Sequence, residues 1–302
     1  MPAPFSSLLI ANRGEIAIRI ARACADLGIR SVAVYAEDDA ASLHTRKADL
    51  CVPLRGRGGA AYMDSQQLID LAKQQHCDAI HPGYGFLAES AEFARACQAN
   101  GIAFIGPSAQ VLELFGDKAA ARAMAERCAV PLVRGINQAV TLEQAQAFMH
   151  SLGDGAAVML KALAGGGGRG MRAVHAPAEL EQAYARCQSE ALSAFGNGAL
   201  YVEQLVSRAR HIEVQILGDH SGQLSHLWER DCSLQRRQQK LVEIAPSPDL
   251  PGTTRDALIS AALQLAEQSA YQGIGTFEFL LDLDQPDCFY FMEANPRIQV
   301  EH

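Results

Sequence analysis

The 302 residues exceed what a single hydrophobic core usually fills, so two or three domains are expected. Hydrophobic residues make up 49 % and there are 25 glycines, a composition that excludes a disordered chain. The formal net charge of −8 gives no reason to expect a nucleic acid or an anionic membrane as partner, although a few local cations could still hold phosphates.

The opening Met-Pro-Ala-Pro-Phe-Ser-Ser lacks the basic and apolar regions of an export signal, and no apolar run reaches membrane-spanning length. Eight cysteines, at 24, 51, 77, 97, 128, 187, 232 and 288, stand singly without a Cys-x-x-Cys pair, which argues against a disulfide framework or a cysteine metal site. A cytoplasmic location is therefore expected. Residues 7–11 read as a short apolar strand. Residues 14–27 read as a helix with Ile16, Ile20 and Ala23 on one side and Arg19 and Arg22 on the other, stopped by Gly28. Strands at 31–35, 50–52, 79–81 and 102–105 alternate with helices at 65–74 and 90–100, and such repeats imply an α/β fold with a doubly wound parallel sheet. A dinucleotide-binding oxidoreductase is the rival reading, but the first turn, Ala11-Asn-Arg-Gly-Glu15, has one glycine instead of Gly-x-Gly-x-x-Gly.

Residues 106–134 turn helical and charged, with Asp117-Lys118 ahead of 119–128 and Pro131 closing the segment, and read as a linker. A mixed unit follows: helix 141–150, strands 157–161 and 171–174, helix 178–191 and strand 200–204. Between its first two strands lies Lys161-Ala-Leu-Ala-Gly165-Gly166-Gly167-Gly168-Arg-Gly170. Four glycines let backbone amides crowd around an anion, although alone they fit a loose turn equally well. Lys161, on the strand beside them, tips the reading towards a phosphate cover.

Beyond residue 205 the pattern is β-rich. Across 210–217, His211, Glu213 and Gln215 alternate with Ile212, Val214 and Ile216, the period of a half-buried strand with one wet face. Strands at 223–232 and 240–245 continue it. The run 229–240 between them is dense in charge, and its composition also fits a solvated loop. A helix at 254–270 precedes two strands that carry Glu278, then Glu293 and Asn295. The last two are spaced by two, so both point to one face of an extended strand. Oxygen donors so placed suit a hard cation, Mg²⁺, held between protein and a nucleotide's phosphates. Arg297 adds a fork for a small planar oxyanion and Glu301 a carboxylate able to take a proton. The alternative for this stretch is a strand end with solvated charges.

Taken in order, Ala11-Asn-Arg-Gly-Glu-Ile16, His81-Pro-Gly-Tyr-Gly-Phe-Leu-Ala-Glu-Ser90, Phe104-Ile-Gly-Pro-Ser108, Lys161 with its glycines, Arg210-His-Ile-Glu-Val-Gln215, Glu229-Arg-Asp-Cys-Ser233, Gly275-Thr-Phe-Glu-Phe279 and Glu293 to His302 resemble the biotin carboxylase branch of the ATP-grasp enzymes. The resemblance runs from residue 7 to the end. It implies an N-terminal biotin carboxylase domain at 1–116, a helical linker at 117–134, an ATP-grasp lid subdomain at 135–204 and an incomplete ATP-grasp C-terminal subdomain at 205–302.

By the same resemblance, Lys118, Lys161 and Gly165, Gly166, Gly167 and Gly168 meet the phosphates of ATP. Glu203 and the backbone near Val206 meet the adenine, and His211, Gln235 and Gln238 the ribose. Glu278, Glu293 and Asn295 bind Mg²⁺, with Mn²⁺ as a substitute. Lys240, Arg297, Gln299 and Val300 form the bicarbonate pocket, with Glu301 as the base. The implied reaction is carboxylation of biotin through carboxyphosphate. Its implied partners are a separate biotin carboxyl carrier domain and a carboxyltransferase component of an acyl-CoA, pyruvate or urea carboxylase, and the whole domain is implied to be a homodimer.

Gln238 stands where the family usually has histidine; it can still bond a ribose hydroxyl but cannot carry charge. Family domains also run well beyond the Val-Glu-His motif, so the resemblance implies a truncated chain without the biotin-holding arginine, impaired or inactive by itself. Two other readings remain: another ATP-grasp carboxylate–amine ligase, and a nucleotide-binding fragment without turnover. Cys232 falls near the bicarbonate pocket, where a buried cysteine is more often an inert small hydrophobe.

Overall fold

The computed structural model describes residues 5–153, 155–164, 170–236, 239–285 and 287–301. In the first unit, β1 (Ser7–Ile10), α1 (Gly14–Leu27), β2 (Arg30–Tyr35), β3 (Leu50–Pro53), α2 (Gly58–Ala61), α3 (Ser65–Gln74), β4 (Ala79–His81), α4 (Ala91–Ala99) and β5 (Ala103–Phe104) build a parallel sheet in the order β3-β2-β1-β4-β5. Alternate residues of its strands bury on opposite faces. Leu9, Val32, Val34 and Ile80 pack with Leu68 and Phe93 of α3 and α4, while Leu8, Ile10 and Ala79 pack with Ile16 and Ile20 of α1. Burial on both sides explains why β1 is a continuous apolar run.

The chain builds from β1 outwards to β3 and then crosses back to β4, so β1 and β4 flank the point where strand order reverses. In such sheets the loops leaving those two strands hold ligands. Here they are fastened together: buried Asn12 donates through Nδ2 to the carbonyls of Pro82, at 2.6 Å, and Tyr84, at 2.9 Å. Gly83 (φ +67°) is required at this crossing, because a Cβ there would lie 2.7 Å from Asn12 Nδ2.

Ser108 caps α5 (Ala109–Gly116) and Asp117 caps α6 (Lys118–Arg127). The segment expected as a linker is packed: Ala121, Met124, Ala125, Cys128 and Val130 share a core with Val111 and Phe115 of α5 and with the C-terminal sheet. The next unit has its own core, formed by β6 (Gly135–Ile136), α7 (Leu142–Ser151), β7 (Val158–Ala162), β8 (Met171–Val174), α8 (Leu180–Phe195) and β9 (Leu200–Gln204). Its sheet order is β6-β9-β7-β8, and β7 and β8 are the antiparallel pair that flanks the glycine run.

The last unit comprises β10 (Ala209–Gly218), β11 (Leu224–Arg236), β12 (Gln239–Ile244), α9 (Gly252–Gln268), β13 (Gly273–Asp282) and β14 (Phe289–Asn295), an antiparallel sheet in the order β12-β11-β10-β13-β14. Ile212, Val214, Ile216, Phe277, Phe279 and Phe291 form a core with Leu258, Ala262 and Leu265 of α9. Two expectations are corrected here. Residues 229–236 of the charged run are strand and not loop, since β11 continues to Arg236 with Glu229 and Arg230 buried. The polar face of β10 is not wet either: Glu213 and Gln215 are 0 % and 1 % exposed, because side chains of β11 and β12 close over them as partners. Among the described residues no helix is long and apolar enough to cross a membrane.

Candidate active site

Four charged residues stand in a row across the C-terminal sheet. Arg230 on β11 opposes Glu213 on β10, Glu213 opposes Glu278 on β13, and Glu278 opposes Glu293 on β14. Directly opposed residues of antiparallel strands share a face, so this row lines one surface while the phenylalanines fill the other. Arg230 donates from Nε to Glu213 Oε1 at 2.5 Å and from Nη1 to Gln215 Oε1 at 3.1 Å. Lys240, from β12, reaches over the row and donates from Nζ to Glu213 Oε2 at 2.5 Å and Glu278 Oε1 at 2.8 Å.

Among the described residues Glu278 has two further partners, because His211 Nε2 lies 2.6 Å from its Oε2 and Asn295 Nδ2 donates to its Oε1 at 2.6 Å. Gln235 Nε2 lies 2.8 Å from His211 Nδ1, on the far side of the ring from Glu278. Burial alone would raise the Glu278 carboxyl, but the His211 hydrogen bond and the Lys240 ammonium outweigh it and hold it at about 2. Its neighbour shifts the other way. Glu293 is exposed at its surface, yet the protein packed around it and then the Glu278 charge raise its carboxyl, against Lys118 and Lys161.

The two phosphate-site lysines expected from sequence converge on the same place from separate units. Lys118 opens α6, and burial lowers its amine, with Glu293 and Glu203 opposing and Lys161 reinforcing. Lys161, on β7, is ion-paired with Glu203 on β9, and Arg122 Nη1 stands 3.8 Å from the second oxygen of Glu203. Val206 is half-buried just past β9. Gly165 to Gly168, Gln238 and His302 lie outside the described residues.

At the end of β14, Arg297 donates from Nε to Glu89 Oε1 at 2.5 Å, and its Nη2 is 3.4 Å from Asn295 Oδ1. Glu89 belongs to the loop leaving β4, so the N-terminal unit reaches the site through this pair. Gln299 is buried beneath, donating to Thr276 Oγ1 at 2.7 Å and accepting from Arg230 at 3.4 Å, while Val300 and Glu301 are exposed. The Glu243 carboxyl, on β12, meets that of Glu301. Burial pushes the Cys232 thiol far up, which leaves it a neutral, inert filler.

Sequence reasoning assigned nothing to Glu89, Arg122, Glu213, Arg230 or Glu243. Glu213 was within reach, since it shares the parity of His211 and Gln215. Glu243 was not: three residues from Lys240, it would fall on the opposite face of a regular strand, and only the irregular pairing of β11 with β12 brings both to one side.

Residues 117–302 match the family described as carbamoyl-phosphate synthase L chain, ATP binding domain, and residues 4–112 that described as biotin carboxylase, N-terminal domain. The chain is 52 % identical over 303 residues to mitochondrial pyruvate carboxylase of Rattus norvegicus, an alignment covering 99 % of the chain and 25 % of that protein. It thus spans about a quarter of the length of the curated relatives it matches. The solved biotin carboxylase–β-γ-ATP complex from Campylobacter jejuni superposes with a TM-score of 0.93 at 42 % identity, over 99 % of this chain and 66 % of that one. The biotin carboxylase domain of Hydrogenobacter thermophilus 2-oxoglutarate carboxylase, solved with MgADP, ADP and bicarbonate, gives 0.90 at 44 % identity, over 99 % and 65 %.

Proposed function

Because the chain belongs to the biotin carboxylase family, with an ATP-grasp fold, we propose that it carries out ATP- and bicarbonate-dependent carboxylation of biotin through carboxyphosphate, the first half-reaction of a biotin-dependent carboxylase. The observation that carries this reading is the convergence of Lys118, Lys161 and Lys240 on the opposed carboxylates Glu278 and Glu293. Cations from three separate elements, α6, β7 and β12, around paired carboxylates match the needs of a metal-bound polyphosphate. The ligands of the Hydrogenobacter thermophilus relative, MgADP and bicarbonate, are of the same classes.

Glu278 and Glu293, with Asn295 beside them, would hold Mg²⁺ or Mn²⁺. The donor set fits, since the Glu278 charge raises Glu293 and a divalent cation relieves that repulsion. When bound, such a cation neutralises charge developing on the phosphates. Lys118 and Lys161, with the glycines at 165–168 as cover, bind phosphate oxygens. Glu203 and the Val206 backbone meet the adenine, and His211, Gln235 and Gln238 the ribose.

Arg297, held by Glu89, presents its fork to bicarbonate, with Lys240, Gln299 and Val300 completing the pocket. Glu301 takes the bicarbonate proton, and the freed oxygen attacks the γ-phosphorus of ATP as the bond to the β–γ bridging oxygen breaks. Carboxyphosphate then splits to CO₂ and phosphate; phosphate takes the ureido proton of biotin, and the nitrogen attacks CO₂. The biotin is carried on a separate carrier domain, and a carboxyltransferase component passes the carboxyl group on.

The test is ATP cleavage with and without ¹⁸O-labelled bicarbonate. Cleavage should depend on bicarbonate and move one labelled oxygen into inorganic phosphate. Unlabelled phosphate, or cleavage that needs an amine instead of bicarbonate, would assign another ATP-grasp ligase.

A further inference from the structure

Glu243 has a buried oxygen without a hydrogen-bond donor among the described residues. Its side chain is 16 % exposed, and its Oε2 is buried with no hydrogen bond among the described residues. Buried carboxylate oxygens normally have donors, and the cations nearby are already engaged. Arg230 gives Nε and Nη1 to Glu213 and Gln215 and reaches Glu243 Oε2 only at 3.8 Å, while Lys240 bridges Glu213 and Glu278. The other neighbours are acids and a thiol. Glu213 on β10 and Cys232 on β11 place ligand atoms within 4.8 Å of it, and Glu301, past the end of β14, brings its carboxyl to hydrogen-bonding range. Two carboxyl groups can bond only by sharing a proton.

We propose that Glu243 is a positioning residue acting through Glu301: it accepts the proton that Glu301 removes from bicarbonate and releases it to solvent, returning Glu301 to its ionised form. This rests on Glu301 being the base of the reaction proposed above. The bicarbonate O–H bond breaks and its proton joins the Glu301 carboxylate. That proton crosses to the Glu243 carboxylate and then leaves to water, and no electrons change hands. Burial, then the charges of Glu213 and Glu301, push Glu243 up to about 7 against the pull of Lys240, so it can both take and shed a proton near neutrality. Arg230 adds a distant cation, and Cys232 is neutral.

The experiment compares the pH dependence of kcat for bicarbonate-driven ATP cleavage in the unsubstituted protein, Glu243→Gln, Glu243→Asp and Glu301→Gln. In the unsubstituted protein kcat should rise through about pH 7, as Glu243 ionises. Glu243→Gln should lower kcat roughly tenfold with KM for ATP unchanged, lose that rise, and recover when imidazole buffer is added to take the proton instead. Glu243→Asp, still titratable, should keep the rise. An infrared pH titration gives a readout independent of turnover: a protonated carboxyl band should vanish near pH 7 and be missing in Glu243→Gln. Absence of that band from the unsubstituted protein, unchanged kcat in Glu243→Gln, or lower kcat without buffer rescue overturns the relay. If Glu301→Gln is inactive in those cases, the base assignment survives; activity in Glu301→Gln would overturn that assignment itself.

Discussion

Glu213 and Glu278 lie directly opposite each other on neighbouring antiparallel strands and share the ammonium of Lys240, at 2.5 and 2.8 Å. Like charges so placed destabilise a sheet, and the lysine reverses the sign. Lys240→Met should therefore lower stability by about 2 kcal/mol, below the range for a fully buried pair because 23 % of the lysine side chain reaches solvent. Adding Glu213→Gln should return part of that loss. Urea unfolding at pH 7 measures both, and equal stability of Lys240→Met and the unsubstituted protein would rule out this electrostatic account.

The two carboxylates assigned to the metal should respond oppositely in stability. Glu278→Gln weakens the acceptor shared by His211, Lys240 and Asn295 and should cost about 1–3 kcal/mol. Glu293→Gln removes the charge that Glu278 repels and should be neutral or stabilising. Both should raise the Mg²⁺ concentration for half-maximal ATP cleavage by roughly tenfold or more. Unchanged metal dependence in both variants sinks the assignment.

Glu301→Gln should cut bicarbonate-dependent turnover by at least about a hundredfold while nucleotide affinity stays within a few fold, because an amide keeps the shape and loses the proton acceptor. Arg297→Lys should raise KM for bicarbonate, since a point charge replaces a planar fork. Steady-state kinetics with nucleotide titration separates these effects. Matching losses of nucleotide affinity would make Glu301 structural.

Acid and base should act on stability through different residues. Glu278 is lowered from 4.5 to about 2, so the stability it contributes is complete above pH 4.5 and is lost as pH falls from there towards 2. Glu243 is raised from 4.5 to about 7, so its destabilising effect is absent below 4.5, grows between 4.5 and 7 and is constant above. Glu243→Gln should accordingly be more stable than the unsubstituted protein at pH 8, by on the order of 2 kcal/mol, and indistinguishable from it at pH 4.5. Thermal unfolding at the two values decides it, and a destabilised variant at pH 8 would contradict the sign.

Much of this arrangement is legible in the chain. Apolar runs and intervening amphipathic helices give the parallel sheet, because strands buried on both faces need no polar residues. Glu293 and Asn295 announce a shared face by their spacing. What hides is whatever depends on pairing between distant strands. The alternation at His211, Glu213 and Gln215 reports which residues share a face, but not whether water or Arg230 covers it, since that depends on the partner strand's register. The segment at 117–134 reads as a linker for the same reason: charged residues and short helices conceal how far Ala121, Met124 and Ala125 sink into a core built by strands much later in the chain.

The contact between Glu89 and Arg297 joins side chains 208 positions apart, one in the loop leaving β4 of the parallel sheet and the other just past β14 of the antiparallel one. During synthesis Glu89 leaves the ribosome long before Arg297 does. The Arg297 fork is thus oriented against a loop that was made much earlier in the chain. Slight heating should act in reverse: once the loop after β4 loosens, the fork loses its stop while both sheets still hold, so inactivation should precede the loss of secondary structure.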